Sequence, residues 1–208
     1  MPAWSRRRSR ASRRGRCPPV RRRTPTSPRP ARARRRADGA PGAGPGAGEP
    51  AIRLATEADR AWIAKTAGVV YRPLGDYERI LGAWLDHPGV VAHVDVGPRG
   101  VRRGFTVLWF GDVEPPDPRP VADLLAIGVA PRYQGRGRGR TLLWHALDVA
   151  RAEPYRARHV VLTVADDNAR ARALFASAGF EVIDWDYGAY DGGQRALRMA
   201  RSLAPPPG

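Results

Sequence analysis

Apolar residues are sparse through the first fifty positions; from Ala51 onward they recur with periods that alternate between two and about 3.6. Residues 51–55 (AIRLA) alternate as a short strand. Thr56 then predicts a helix start, with Glu57 and Asp59 in the first turn and Trp62, Ile63, Ala67 and Val70 on one face. Pro73 and Gly75 break the chain before a second helix over 76–85, where Tyr77, Ile80, Leu81, Trp84 and Leu85 share a face. Residues 90–96 and 105–110 read as two strands of a hairpin around the turn at 97–100, and the Pro- and Asp-rich stretch 114–120 reads as a loop. Val121–Val129 (VADLLAIGV) is almost wholly apolar, which predicts a strand buried on both faces. A glycine-rich turn follows, then a helix to about residue 152 with Leu142, Leu143, Ala146, Leu147 and Ala150 inward. Residues 159–164 form another buried strand. Asp166, Asp167 and Asn168 cap a helix whose inner face is Ala171, Leu174, Phe175 and Ala178, ended by Gly179. Strands over 180–187 and 195–200, joined by the Asp191-Gly192-Gly193 turn, close the chain. The predicted class is α/β, with a mixed sheet and at least one right-handed strand–helix–strand crossover.

Charge divides the chain differently. Of the net +16 of the 208 residues, +13 falls in residues 1–50, which carry 15 Arg against Asp38 and Glu49. That segment holds nine Pro and six Gly but only Met1, Trp4, Cys17 and Val20 as large apolar or Cys residues. It cannot bury enough surface to offset its ordering entropy, so residues 1–48 are expected to be a disordered basic tail and 49–203 the folding unit. The 35 Arg and single Lys also fit translation of GC-rich DNA, in which case the tail is an over-long start; the functional reading is an arm for nucleic acid or another acidic surface.

Composition also removes chemistry. Cys17 is the only cysteine, so no disulfide framework or thiolate metal site is expected, and a reducing, cytoplasmic setting fits. No apolar run approaches the ~18 residues of a membrane span. Lys65, the only lysine, has no preceding Gly, which excludes a Walker-type loop. Ser177 and Ser202 are the only serines beyond the tail, and neither sits in a Gly-x-Ser-x-Gly elbow. His87, His93, His145 and His159 lack metal-ligand spacing, so no metal is expected.

The informative stretch lies between a strand and a helix: Gln134-Gly135-Arg136-Gly137-Arg138-Gly139-Arg140. Alternating glycines let backbone approach a ligand, and successive N–H groups at a helix N-terminus attract anions, to which Arg136, Arg138 and Arg140 add charge. A diphosphate fits such a turn. The dinucleotide pattern G-x-G-x-x-G fails, because its third glycine would fall on Arg140 or Leu142.

The pattern Q/R-x-x-G-x-G/A is met in full by residues 134–139. With Ile127-Gly128-Val129-Ala130-Pro131 before it and Thr141-Leu142-Leu143 after it, the chain resembles the GNAT superfamily of acyl-CoA-dependent N-acyltransferases. Leu162-Thr163-Val164, Asn168, Ala171, Leu174-Phe175 and Gly179-Phe180 resemble a second element of that family. The resemblance spans about residues 51–203. It implies a mostly antiparallel sheet flanked by helices, with the coenzyme A pyrophosphate on the glycine turn. The pantetheine arm would lie between strands carrying Ile127–Val129 and Leu162–Val164, contacted by Asn168 and Phe175. It further implies acetyl-CoA as co-substrate and a small-molecule or peptide amine as acceptor, with a backbone N–H near Val129 facing the thioester oxygen.

With no Ser or Cys nucleophile, direct attack by the amine in a ternary complex is the economical route. Some members carry a Glu six residues before the position of Val129, where this chain has Asp123. An acid within an apolar strand is also a natural candidate for a raised pKa and for the base. Members that acetylate a ribosomal N-terminus use a Glu and a Tyr where this chain has Thr163 and Phe175. Their acid is therefore missing and that substrate is disfavoured. Tyr133, Tyr187 and Tyr190 are substitutes, with Tyr190 the best placed beside its Gly-rich turn, or water protonates the thiolate. Two other functions stay open: a nucleic-acid-associated protein acting through its tail, and an acyl-CoA binder without catalysis.

Overall fold

A computed structural model describes residues 51–111 and 121–203. The expected basic tail and the whole of the loop at 114–120 lie outside the described residues.

The element order is β1 (Ala51–Leu54), α1 (Glu57–Val70), α2 (Tyr77–Leu85), β2 (Val90–Val96), β3 (Arg102–Phe110), β4 (Val121–Val129), α3 (Arg138–Arg151), β5 (His159–Ala165), α4 (Ala169–Ser177), β6 (Glu181–Ala189) and β7 (Arg195–Ser202). Types and order follow the apolar periods. The largest extension is β3, which starts three residues early because Arg102 to Gly104 still pair with β2. The described strands form one sheet in the order β1-β2-β3-β4-β5-β7-β6. Every neighbouring pair is antiparallel except β4–β5, the pair that α3 joins.

Two apolar clusters cover the sheet. Leu143, Ala146 and Leu147 of α3 and Phe175 of α4 pack with Leu124, Leu162 and Leu197. Ile63 and Ala67 of α1 and Leu81 of α2 pack with Val94, Phe105 and Ala126. Strand β4 contributes to both through one irregularity. Its register against β3 skips Leu125, so Leu124 joins the first cluster whereas Ala126, two residues on, joins the second. The pattern predicts burial of β4 on both faces, but the structure alternates: Ala122, Leu124, Ala126 and Gly128 are buried and the intervening residues only partly so. Leu125 and Ile127 are partly open because they line a cavity.

The start of α1 is anchored more firmly than a helix cap requires. Asp59 is fully buried and accepts from the Thr56 N–H and hydroxyl, both at 2.8 Å, and from Arg53 and Arg102, both at 2.6 Å. Burial opposes its charge, but the hydrogen bonds from Arg53, Thr56 and Arg102 outweigh that and hold the carboxyl well below its ordinary range.

Candidate active site

Strands β4 and β5 pair only from Val121 with His159 to Leu124 with Leu162, and then part. A cavity of about 440 Å³ opens along the divergence. Its walls are residues 124–127 of β4, residues 162–165 of β5, and Asn168, Ala171 and Phe175 at α4. Tyr71 and Leu74, from the link between α1 and α2, and Tyr77, the first residue of α2, lie at one end with Tyr190 and Gln194. That end is pinned by long-range hydrogen bonds: Gln194 Nε2 donates to the Pro73 carbonyl at 2.9 Å and the Gly192 N–H to the Leu74 carbonyl at 3.1 Å.

The glycine turn follows β4. Gly135 and Gly137 take φ of 75° and 74°, the left-handed region where other residues are strained, and Gly137 caps α3. Gln134 Nε2 donates to the Val129 carbonyl at 3.0 Å, tying the turn back to the strand. The three turn arginines differ in their commitments. Arg138 donates at 2.9 Å to the buried Asp95 of β2, which also takes the guanidinium of Arg103. Arg136 and Arg140 are exposed and form no ion pair among the described residues, so their charge remains available to an anion.

Asp123 sits across from Arg198 of β7, whose Nη2 donates to its carboxylate at 2.7 Å while Nη1 donates to the Thr163 hydroxyl at 2.9 Å. Burial pushes the Asp123 carboxyl up from its ordinary value, against the pull of the Arg198 charge and hydrogen bond. The Arg198 guanidinium also lies 5.0 Å from the centroid of the Tyr187 ring. Thus the residue singled out as an acid in an apolar strand is half of an ion pair, and it lies beside the cavity lining rather than in it. Thr163 and Phe175, the two departures from the ribosomal pattern, both line the cavity.

The structure therefore gathers Ile127, Asn168, Phe175 and Tyr190 at one cavity and carries Gln134 to Arg140 at the α3 N-terminus. Arg198, Asp95 and Tyr71 were not singled out by sequence reasoning. A charge between Leu197 and Met199 is the one signal that marks Arg198, as a residue facing away from the core. Among the described residues no cluster of three or more His, Cys, Asp or Glu could hold a metal ion, and no helix is long and apolar enough to cross a membrane.

Parted parallel strands beside a glycine turn at a helix N-terminus define an α/β ligand-binding domain. The chain belongs to the acetyltransferase (GNAT) family, whose profile matches residues 56–180. Among curated proteins it is 39% identical over 86 residues to the N-alpha-acetyltransferase RimI of Mycobacterium tuberculosis, covering 40% of this chain and 51% of that protein. It is 48% identical over 61 residues to the mycothiol acetyltransferase of Beutenbergia cavernae, covering 29% and 20% respectively. The chain thus matches about half of one relative's length and a fifth of the other's. Among solved structures, YncA of Salmonella typhimurium with its cofactor acetyl-CoA aligns at 26% identity and a TM-score of 0.59, covering 77% of this chain and 97% of that one. Arabidopsis thaliana NAA60 in complex with acetyl-CoA aligns at a TM-score of 0.63 over 74% and 99% of the two chains; at 14% identity it shows the fold alone.

Proposed function

We propose that this protein moves an acetyl group from acetyl-CoA to a primary amine by direct attack in a ternary complex. The parting of β4 and β5 over a cavity, with the glycine turn following β4 at the start of α3, carries this reading. An extended, amide-bearing arm suits a slot between two strand edges, and a diphosphate suits left-handed glycines at a helix start flanked by Arg136 and Arg140. Ile127 and Val129 would meet the arm on β4, with Asn168 and Phe175 opposite. Gln134 and the N–H groups of residues 135–140 would hold the phosphates. Acetyl-CoA supplies an activated acyl thioester; no metal is invoked. The acceptor is a small-molecule or peptide amine entering at the Tyr71–Tyr190 end, and the setting is cytoplasmic. The matches to an N-alpha-acetyltransferase and to a mycothiol acetyltransferase support the class, while Thr163 and Phe175 argue against a ribosomal N-terminus.

Asp123 is proposed as the proton acceptor. Its burial favours proton uptake, Arg198 fixes its orientation while opposing uptake, and its place beside the cavity requires one bridging water. Tyr190, on the cavity wall, is proposed as the proton donor to the departing sulfur.

Calorimetry with acetyl-CoA, followed by thiol release over a panel of amines and peptides, tests the reading. Binding with amine-dependent thiol release is expected; a folded protein that binds no acetyl-CoA overturns it. Asp123→Asn is expected to lower kcat by ~10²–10⁴-fold with acetyl-CoA affinity nearly unchanged. Wild-type kcat across pH 6–9 would reduce Asp123 to a member of the ion pair.

A further inference from the structure

Beyond Leu124, β4 pairs with no strand on its β5 side among the described residues, yet Ile127 is not left without partners. Its N–H donates to the Tyr71 hydroxyl at 2.9 Å, and that hydroxyl donates to its carbonyl at 2.7 Å. A phenol has one hydrogen and two lone pairs, so one side chain serves both groups that β5 would serve in an unbroken sheet. The position is fixed from two sides. The Tyr71 N–H bonds the Ala67 carbonyl at the end of α1, and the Tyr77 ring lies 4.8 Å away, centroid to centroid. Burial pushes the phenol pKa up, so the group stays neutral and keeps both roles.

Resting on the coenzyme reading above, we propose that the Tyr71 hydroxyl holds the Ile127 N–H in the place an acyl carbonyl would take. Tyr71 is then the residue that sets discrimination between acyl-CoA and free CoA. A free thiol offers no carbonyl, so CoA enters with the Tyr71 bonds intact. An acyl carbonyl must take the Ile127 N–H from the phenol, exchanging one hydrogen bond for another with little net gain. The wild-type protein therefore binds the two ligands with similar affinity. Without the hydroxyl, the Ile127 N–H is unpartnered when CoA is bound and partnered when acetyl-CoA is bound.

Tyr71→Phe tests this by titration calorimetry of both ligands. The ratio Kd(CoA)/Kd(acetyl-CoA) is expected to rise about tenfold in the variant, the worth of one hydrogen bond to a buried donor. A purely structural tyrosine would change the thermal midpoint, or weaken both ligands together, and an unchanged ratio overturns the proposal. A second measurement needs no variant. In wild-type protein labelled with ¹⁵N-isoleucine, the Ile127 amide resonance should move on adding acetyl-CoA and far less on adding CoA; equal shifts overturn the proposal. Wild-type protein that binds neither ligand would remove the coenzyme reading itself, a result distinct from binding with an unchanged ratio.

Discussion

Gly137 shows how one residue type decides both a local shape and a candidate function. Its φ of 74° is costly for any side chain, whereas a Cβ there would meet nothing within 4 Å. Gly137→Ala is therefore expected to lower stability by about 1–2 kcal/mol through backbone strain alone, measured by chemical denaturation. Gly137→Asp carries the same strain and adds a negative charge where the phosphates are proposed to lie. Its acetyl-CoA affinity should fall far more than that of Gly137→Ala, and equal affinities by calorimetry would move the phosphate site elsewhere. His93 is the second residue whose environment sets a testable property. Burial, then the charge of His145, lowers its pKa from 6.5 to about 4. The two rings meet edge-on, 4.6 Å between centroids, and Asp148 acts on His145 in the opposite sense. A base with a depressed folded pKa contributes stability that is complete above pH 6.5 and is lost as pH falls toward 4. His93→Phe should flatten the stability curve in that window, by on the order of 1–2 kcal/mol. The Asp59 contribution is lost as pH falls through the ordinary carboxylate value and below it, so it meets the His93 window only at its acid end.

At the level of elements, the first turn of α3 is tied to β2. Arg138 and Arg103 share the buried Asp95, so the turn that presents Gly135 and Gly137 is anchored to the sheet rather than free. Arg138 and Arg136 should then behave differently on substitution, although two residues apart. Arg138→Met is expected to cost about 1–2 kcal/mol of stability, because the Asp95 carboxylate loses a partly buried partner. Arg136→Gln, at an exposed site, should leave stability unchanged and weaken acetyl-CoA binding several-fold, with the difference shrinking as salt is added. Thermal melts and calorimetry at two ionic strengths separate these effects. A stability loss at Arg136 with no loss at Arg138 would contradict the tether.

For the whole molecule, most of the net charge and the described fold occupy different parts of the chain. Residues 1–50 hold +13 of the net +16 and lie outside the described residues, while the sheet, both apolar clusters and the cavity lie beyond them. A chain beginning at Gly48 is expected to keep its cooperative thermal transition and its acetyl-CoA affinity. Loss of the transition would make the tail part of the core. Binding of DNA by the full chain that collapses with salt, together with no affinity for acetyl-CoA, would favour the tail as the working part.

The sequence alone determined what near neighbours encode. Apolar periods placed the strands and helices, Asn168 marked the start of α4, and the glycine spacing marked the turn ahead of α3, because each depends on residues within a few positions of one another. Even Asp123 stood out locally, as a charge in an apolar run. Tertiary structure decided what those residues meet. Arg198 reaches Asp123 across 75 positions and Tyr71 reaches Ile127 across 56, contacts that no period reveals. The skipped Leu125 and the strand parting beyond Leu124 likewise exist only once β3 and β5 lie on either side of β4. A strand's pattern records which of its faces are apolar; where its neighbour leaves it, and which side chain then takes up the freed hydrogen bonds, is fixed only by packing.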